Sequence, residues 1–214
     1  MNLNMSFAKG VSRRLAAVAA LVALAVPAAA APGFWDLSLS SSARHSMADD
    51  AVRTRNVGFA RVMMSGFSQE PRAGVRAAMV RAVAFLRPGG TQIFLTQALQ
   101  DASPRVRQAA AAALGEKGAA AAVSALASML SSEPDSGVRM TIAFWLGFGP
   151  KPGGSASVSA LSRILTSDRD PNVRLQAAQS LARIASLGNS SARSALRRGR
   201  NDADPRVRRA AGGT

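Results

Sequence analysis

The 214-residue chain contains no cysteine, no tyrosine and a single histidine, and it is poor in acids and aromatics. The missing thiols exclude a disulfide framework, a thiolate zinc site and a cysteine nucleophile. One imidazole cannot build a multi-histidine metal site, and no HExxH, GxSxG or glycine-rich phosphate loop is present. Acids number 12 against 27 Lys and Arg, giving a formal charge of +15. Aromatics make up 5% of the chain and hydrophobic residues 48%. The core must therefore be built mostly from Ala, Leu and Val, a composition that favours helix.

What is there begins with an address. Lys9, Arg13 and Arg14 lie in an acid-free start, followed by the apolar run Leu15 to Val26, then Pro27 and the small residues Ala28 to Ala31. This is the order of a secretory signal peptide, with an apolar run shorter than the roughly 20 residues that span a bilayer. The Ala28-x-Ala30 pattern predicts cleavage between Ala30 and Ala31 and export to the periplasm or the outside of a bacterial cell. An uncleaved anchor is the alternative. Ser12-Arg13-Arg14-Leu15 touches the twin-arginine pattern, but Ala16-Ala17 does not continue it. Residues 1–30 carry three bases and no acid, so the strongly basic balance outlasts their removal. Beyond them the bases are arginine except Lys117 and Lys151. GC-rich coding explains that bias without phosphate chemistry.

A repeat occupies nearly all of the rest. The dipeptide Val-Arg recurs in register at Val75-Arg76, Val106-Arg107, Val138-Arg139, Val173-Arg174 and Val207-Arg208, while Val52-Arg53 lies off this register. Behind it the same face follows: Val106, Ala110, Ala111 and Leu114 match Val173, Ala177, Ala178 and Leu181. Val138, Ile142, Ala143 and Leu146 keep the pattern, and Val75, Met79, Val80 and Val83 keep it loosely. These offsets share one face of an α-helix. Ser103-Pro104, Asp170-Pro171 and Asp204-Pro205 read as caps followed by proline at the first helical position, and Asp135 holds the same place without proline. A shorter apolar-periodic segment precedes each Val-Arg helix, at Ile93 to Leu99, Val123 to Leu130, Val158 to Leu165 and Ala192 to Leu196. An earlier one spans roughly Asp49 to Phe67. Breakers at Pro88-Gly89-Gly90, Gly115 to Gly118, Pro150 to Gly154 and Gly188 to Ser190 separate the units. The expected organisation is a signal peptide at 1–30, a flexible linker at 31–46 and a repeat domain at 47–214. Its units fall at about 47–88, 89–116, 117–149, 155–187 and 190–214. Stacked helix pairs of this kind bury their apolar faces on their neighbours, the logic of an all-α solenoid.

The run Asp-Ala-Ser-Pro-Arg-Val-Arg-Gln-Ala-Ala-Ala-Ala-Ala-Leu at 101–114 resembles the HEAT repeat in its short bacterial HEAT-like form. The resemblance implies an α-solenoid of about five helix pairs. It also gives meaning to a charge pattern, since an acid precedes each Val-Arg arginine by six positions. The pairs are Glu70 and Arg76, Asp101 and Arg107, Glu133 and Arg139, Asp168 and Arg174, and Asp202 and Arg208. In HEAT proteins such acids and arginines form a ladder between adjacent repeats, so the resemblance implies five structural rungs rather than a phosphate-binding stripe.

No catalytic constellation stands out. His45 lies in the expected linker, and the inter-helix acids follow the repeat, as caps and ladder partners would. Catalytic, cofactor and metal sites are expected to be none. Two surfaces are binding candidates. The first is Phe144, Trp145 and Phe148, where other units carry small residues; Phe144 falls on the face that HEAT-like solenoids turn to their concave side, and Trp145 beside core Leu146 also suits gap filling. The second is Arg193, Arg197, Arg198, Arg200, Arg206 and Arg209 in the last unit, suited to an anionic partner. The expected function is a non-enzymatic exported scaffold binding another protein along its concave face. The alternative is a binder of an anionic envelope polymer or membrane surface. A HEAT-like lyase or DNA glycosylase is a third class that rests on fold analogy alone. Nucleic acid is not expected, since no aromatics interleave the arginines.

Overall fold

The computed structural model describes residues 35–213; the expected signal segment and its cleavage site lie outside them. Among the described residues there are eleven α-helices and no strand. They are α1 (Ser41–Arg53), α2 (Val57–Gly66), α3 (Ala73–Leu86), α4 (Thr91–Ala98), α5 (Pro104–Lys117), α6 (Ala120–Met129), α7 (Ser136–Phe148), α8 (Ser155–Ser167), α9 (Pro171–Ser186), α10 (Ser190–Gly199) and α11 (Pro205–Ala210). Each in-register Val-Arg sits in the first turn of an odd-numbered helix, whereas Val52-Arg53 closes α1. The residues four, five and eight positions further on form the core, with Val106, Ala110, Ala111 and Leu114 all buried.

The helices form two rows. The odd-numbered helices α1, α3, α5, α7, α9 and α11 stack one on the next, and the even-numbered helices lie beside them. Small residues let the odd row pack closely. Gly147 of α7 lies so near Ser180 of α9 that a Cβ would come within 2.3 Å of the serine Cβ. Ser180 is buried and donates its hydroxyl to the Ala143 carbonyl at 2.8 Å. The odd row, which carries the Val-Arg pairs, is the one that the resemblance to HEAT-like solenoids places on the concave side, and it forms the inner row against the outer, even-numbered row.

Of the four caps expected at Ser103, Asp135, Asp170 and Asp204, three follow side-chain chemistry. Asp135, Asp170 and Asp204 accept from Val138, Asn172 and Arg206 backbone N–H groups. Ser103 makes no such bond, contrary to expectation; its own N–H is turned to Asp101. Proline at the first position of α5 already fixes φ and removes one unsatisfied donor there. Gly115, read as part of a breaker, lies inside α5, which continues to Lys117 and ends at Gly118 with φ +60°. Gly115 is needed for space instead, since a Cβ there would meet the Trp145 Cβ at 2.3 Å.

The main departure is at the start. The segment expected as flexible linker is structured from Trp35, and α1 covers its last residues. Ala43-Arg44 occupies the place of Val-Arg, 32 residues before Val75-Arg76. Met47, Ala48 and Ala51 follow at the repeat offsets, and Ala48 and Ala51 are buried. The repeat array therefore begins with an inner helix at Ser41, not at 47, and the first outer helix is Val57–Gly66 rather than a segment from Asp49. Alanine where the other units carry valine, with no proline ahead of it, conceals this unit in the sequence.

Candidate functional site

A ladder of ion pairs between units decides which arginines are available. Arg76 donates through Nε and Nη2 to both carboxylate oxygens of Asp101 at 2.7 and 2.8 Å. Arg107 grips Glu133, Arg139 grips Asp168 and Arg174 grips Asp202 in the same fork. The partner is the acid of the following unit, 25 to 29 residues on, and not the acid six residues back. The near acid contributes its backbone carbonyl to the same arginine, as Glu70 and Pro71 do for Arg76. Each carboxylate also accepts the backbone N–H two residues on, at 2.8–2.9 Å. The shift by one unit leaves Glu70 for Arg44, which binds it through Nε and Nη2, while Trp35 Nε1 adds a bond of 2.9 Å. Arg208 closes the series on the carbonyls of Asp202 and Ala203 and forms no ion pair among the described residues.

Burial pushes the Glu70 and Asp101 carboxyls up, but the arginine and backbone bonds outweigh it and hold both below their ordinary values. The Arg174 bond does the same for Asp202. Such fork-like pairs consume the guanidinium, so these arginines are not offered to a ligand.

In α7, positions two, six and ten after the Val-Arg valine are Met140, Phe144 and Phe148, and all three face solvent. Phe144 and Phe148 are 40% and 42% exposed and stack on one another at 5.0 Å and 9°. Trp145 meets Phe144 edge-on at 5.2 Å but is half-buried over Gly115, a gap filler between repeats that braces the exposed pair. In α3 position two is the buried Ala77, while positions six and ten give Arg81 and Phe85, the latter 58% exposed. Between α3 and α5 they border a groove of about 780 Å³ with Arg87, Arg105 and Lys117 at its rim and Ala109, Ala112 and Ala113 in its floor. Gln108 bonds Thr141 at 3.0 Å across this wall, joining the groove to α7. The sequence reading missed Arg81, Phe85 and Arg105. The signal was present, since Arg81 and Phe85 stand in the register of Phe144 and Phe148.

The arginines of the last unit are not brought to one place. Arg193, Arg197 and Arg198 are exposed on outer helix α10, Arg200 follows it, and Arg206 and Arg209 are exposed on inner helix α11. Arg206 is bound to Asp204 at 2.7 Å, which lowers that carboxyl to about 2. Arg198 reaches back to the Ser162 hydroxyl at 3.1 Å. It lines an open groove of about 870 Å³ between α8 and α10, with Arg163, Ser159, Ser162 and Ser194 and with no acid in its wall.

His45 lies on α1 with Nε2 3.8 Å from Asp49 and with no serine hydroxyl bonded to it. Among the described residues no group of three or more His, Asp or Glu could hold a metal ion, and no helix is long and apolar enough to cross a membrane.

A family model for HEAT repeats matches residues 61–147 and 135–213. No curated protein matches the chain.

Proposed function

The chain belongs to the HEAT-repeat family, and from that premise we propose that it is an exported, non-enzymatic scaffold that binds another protein along its inner row. HEAT repeats commonly mediate protein–protein interaction. The observation that carries the reading is the exposed Phe144–Phe148 stack. Aromatic side chains held rigidly on a concave surface are the usual anchors of a protein interface. They need no burial here to keep the core intact, because Ile142, Ala143 and Leu146 fill it from the opposite side of the helix.

The test is Phe144→Ser with Phe148→Ser. The melting temperature is expected to stay within a few degrees of the parent, while recovery of the partner from a native envelope fraction falls sharply. Gross unfolding, or undiminished recovery, counts against the reading. Mass spectrometry of the native N-terminus tests export: a chain starting at Ala31 supports it, and one retaining Met1 opposes it.

The acid-free groove around Arg163 and Arg198 favours a second reading, attraction of an anionic envelope polymer or lipid surface to the outer face. Binding to an immobilised polyanion would then fall steeply between low and high salt. Retention that ignores salt sets this reading aside.

A further inference from the structure

We infer that the groove between α3 and α5 takes an acidic, amphipathic segment of the partner protein, with its apolar side chains on Phe85 and the alanine floor and its carboxylates on the rim. The inference deepens the inner-row reading and rests on it. It starts from a charge imbalance. Arg81, Arg87, Arg105 and Lys117 border the groove, and Glu116 is the one acid among its lining residues. Elsewhere in the array the buried arginines are matched one to one by acids of the next unit, yet none of Arg81, Arg87 and Arg105 forms an ion pair among the described residues.

Arg87 also stands close enough to Lys117 to disfavour the lysine's charge. Lys117 donates Nζ to the Ala84 carbonyl at 3.0 Å. Burial first, and then the neighbouring Arg87, push its ammonium below the ordinary lysine value. Arg87 ends α3 in the left-handed region at φ +54°, which fixes where its side chain departs. An incoming carboxylate would relieve the repulsion as well as pair with the guanidinium groups, giving an attraction that a neutral partner does not have.

The floor supplies the other half of the specificity. Ala109, Ala112 and Ala113 leave a shallow apolar bed, and Phe85 stands at its edge with more than half its surface in water. One helix face that presents Phe or Leu at one-turn spacing, with Asp or Glu beside them, matches this arrangement. The Phe144–Phe148 stack of α7 offers a second anchor in the same register of the inner row.

The experiment is selection from a random peptide display library on the full chain and, in parallel, on Arg81→Glu/Arg105→Glu. Both substitutions are on exposed side chains, and an unchanged melting curve shows that the variant is folded. Peptides enriched on the parent are expected to be net acidic with Phe, Leu or Trp at helical spacing, to weaken at least about tenfold on the variant, and to weaken again with added salt. Neutral or basic peptides that bind through Phe144 and ignore the two substitutions would overturn the acidic partner and leave the inner-row reading intact. No enrichment, or binding insensitive both to these substitutions and to Phe144→Ser, would overturn both.

Discussion

At the scale of single residues, similar side chains carry very different weights according to what they leave behind. Removing Arg107 strips both fork bonds from Glu133, which is nearly fully buried. A buried carboxylate without its counter-ion typically costs about 3–5 kcal/mol. Arg107→Ala is therefore expected to lower the melting temperature strongly, and a double-mutant cycle with Glu133→Gln should show large coupling. Arg208→Ala deprives no acid of a partner and loses bonds to two carbonyls, so about 1 kcal/mol is expected. Equal effects for the two arginines would show that the ion pair carries little of the weight. Glycines divide in the same way. Gly147→Ala forces a Cβ into the Ser180 backbone at 2.5 Å and should destabilise by about 1–3 kcal/mol or more. Gly89→Ala points into open space and should be near neutral when the two variants are compared by urea titration.

At the scale of the element, α1 shows what the sequence could and could not give. The Val-Arg register located five inner helices, because β-branched valine followed by arginine is a conspicuous mark on an alanine background. It passed over Ala43-Arg44, where the valine is replaced by a residue common throughout the chain. Trp35 and Arg44 accordingly fall within the expected flexible linker at 31–46. Their roles depend on Glu70, which is 26 residues from Arg44 and 35 from Trp35, a separation that local pattern does not reach. The first outer helix was misplaced for the same reason, since α1 absorbed its expected beginning at Asp49. If α1 is an integral unit, Arg44→Ala should destabilise the fold to the same degree as Arg107→Ala, because Glu70 is as buried as Glu133. An N-terminal cap that merely leans on the array would give a small effect, measured by thermal melting followed in the far-ultraviolet. The inner-face positions were half legible: Phe144 and Phe148 drew notice as aromatics, while Arg81 and Arg105 disappeared into the general arginine excess. Position within the unit, rather than residue type, separates ladder arginines from surface ones.

At the scale of the whole molecule, the rungs make stability a shared and pH-dependent property. In a stack each unit is held mainly by its neighbours, so loss of several interfaces together removes the cooperative fold. Glu70, Asp101 and Asp202 all have carboxyls depressed below their ordinary values in the folded chain. Between the folded and unfolded values the unfolded chain binds more protons, so stability rises with pH through that window. The contribution is complete above the ordinary carboxylate range, near pH 4, and is lost as pH falls through the depressed values. The arginine partners do not titrate in this range, since their own values are raised from an already high starting point. The melting temperature is accordingly expected to be flat from about pH 5 to pH 8 and to fall steeply below about pH 4. Because the rungs are largely shielded from solvent, added salt should change the position of that fall little. Asp101→Asn should blunt the acid transition while lowering stability at neutral pH, since the amide keeps the shape but offers Arg76 no charge. A chain that melts at the same temperature at pH 2 and pH 7 would refute the ladder as the source of cohesion between units, and would leave the alanine-rich core to account for it alone.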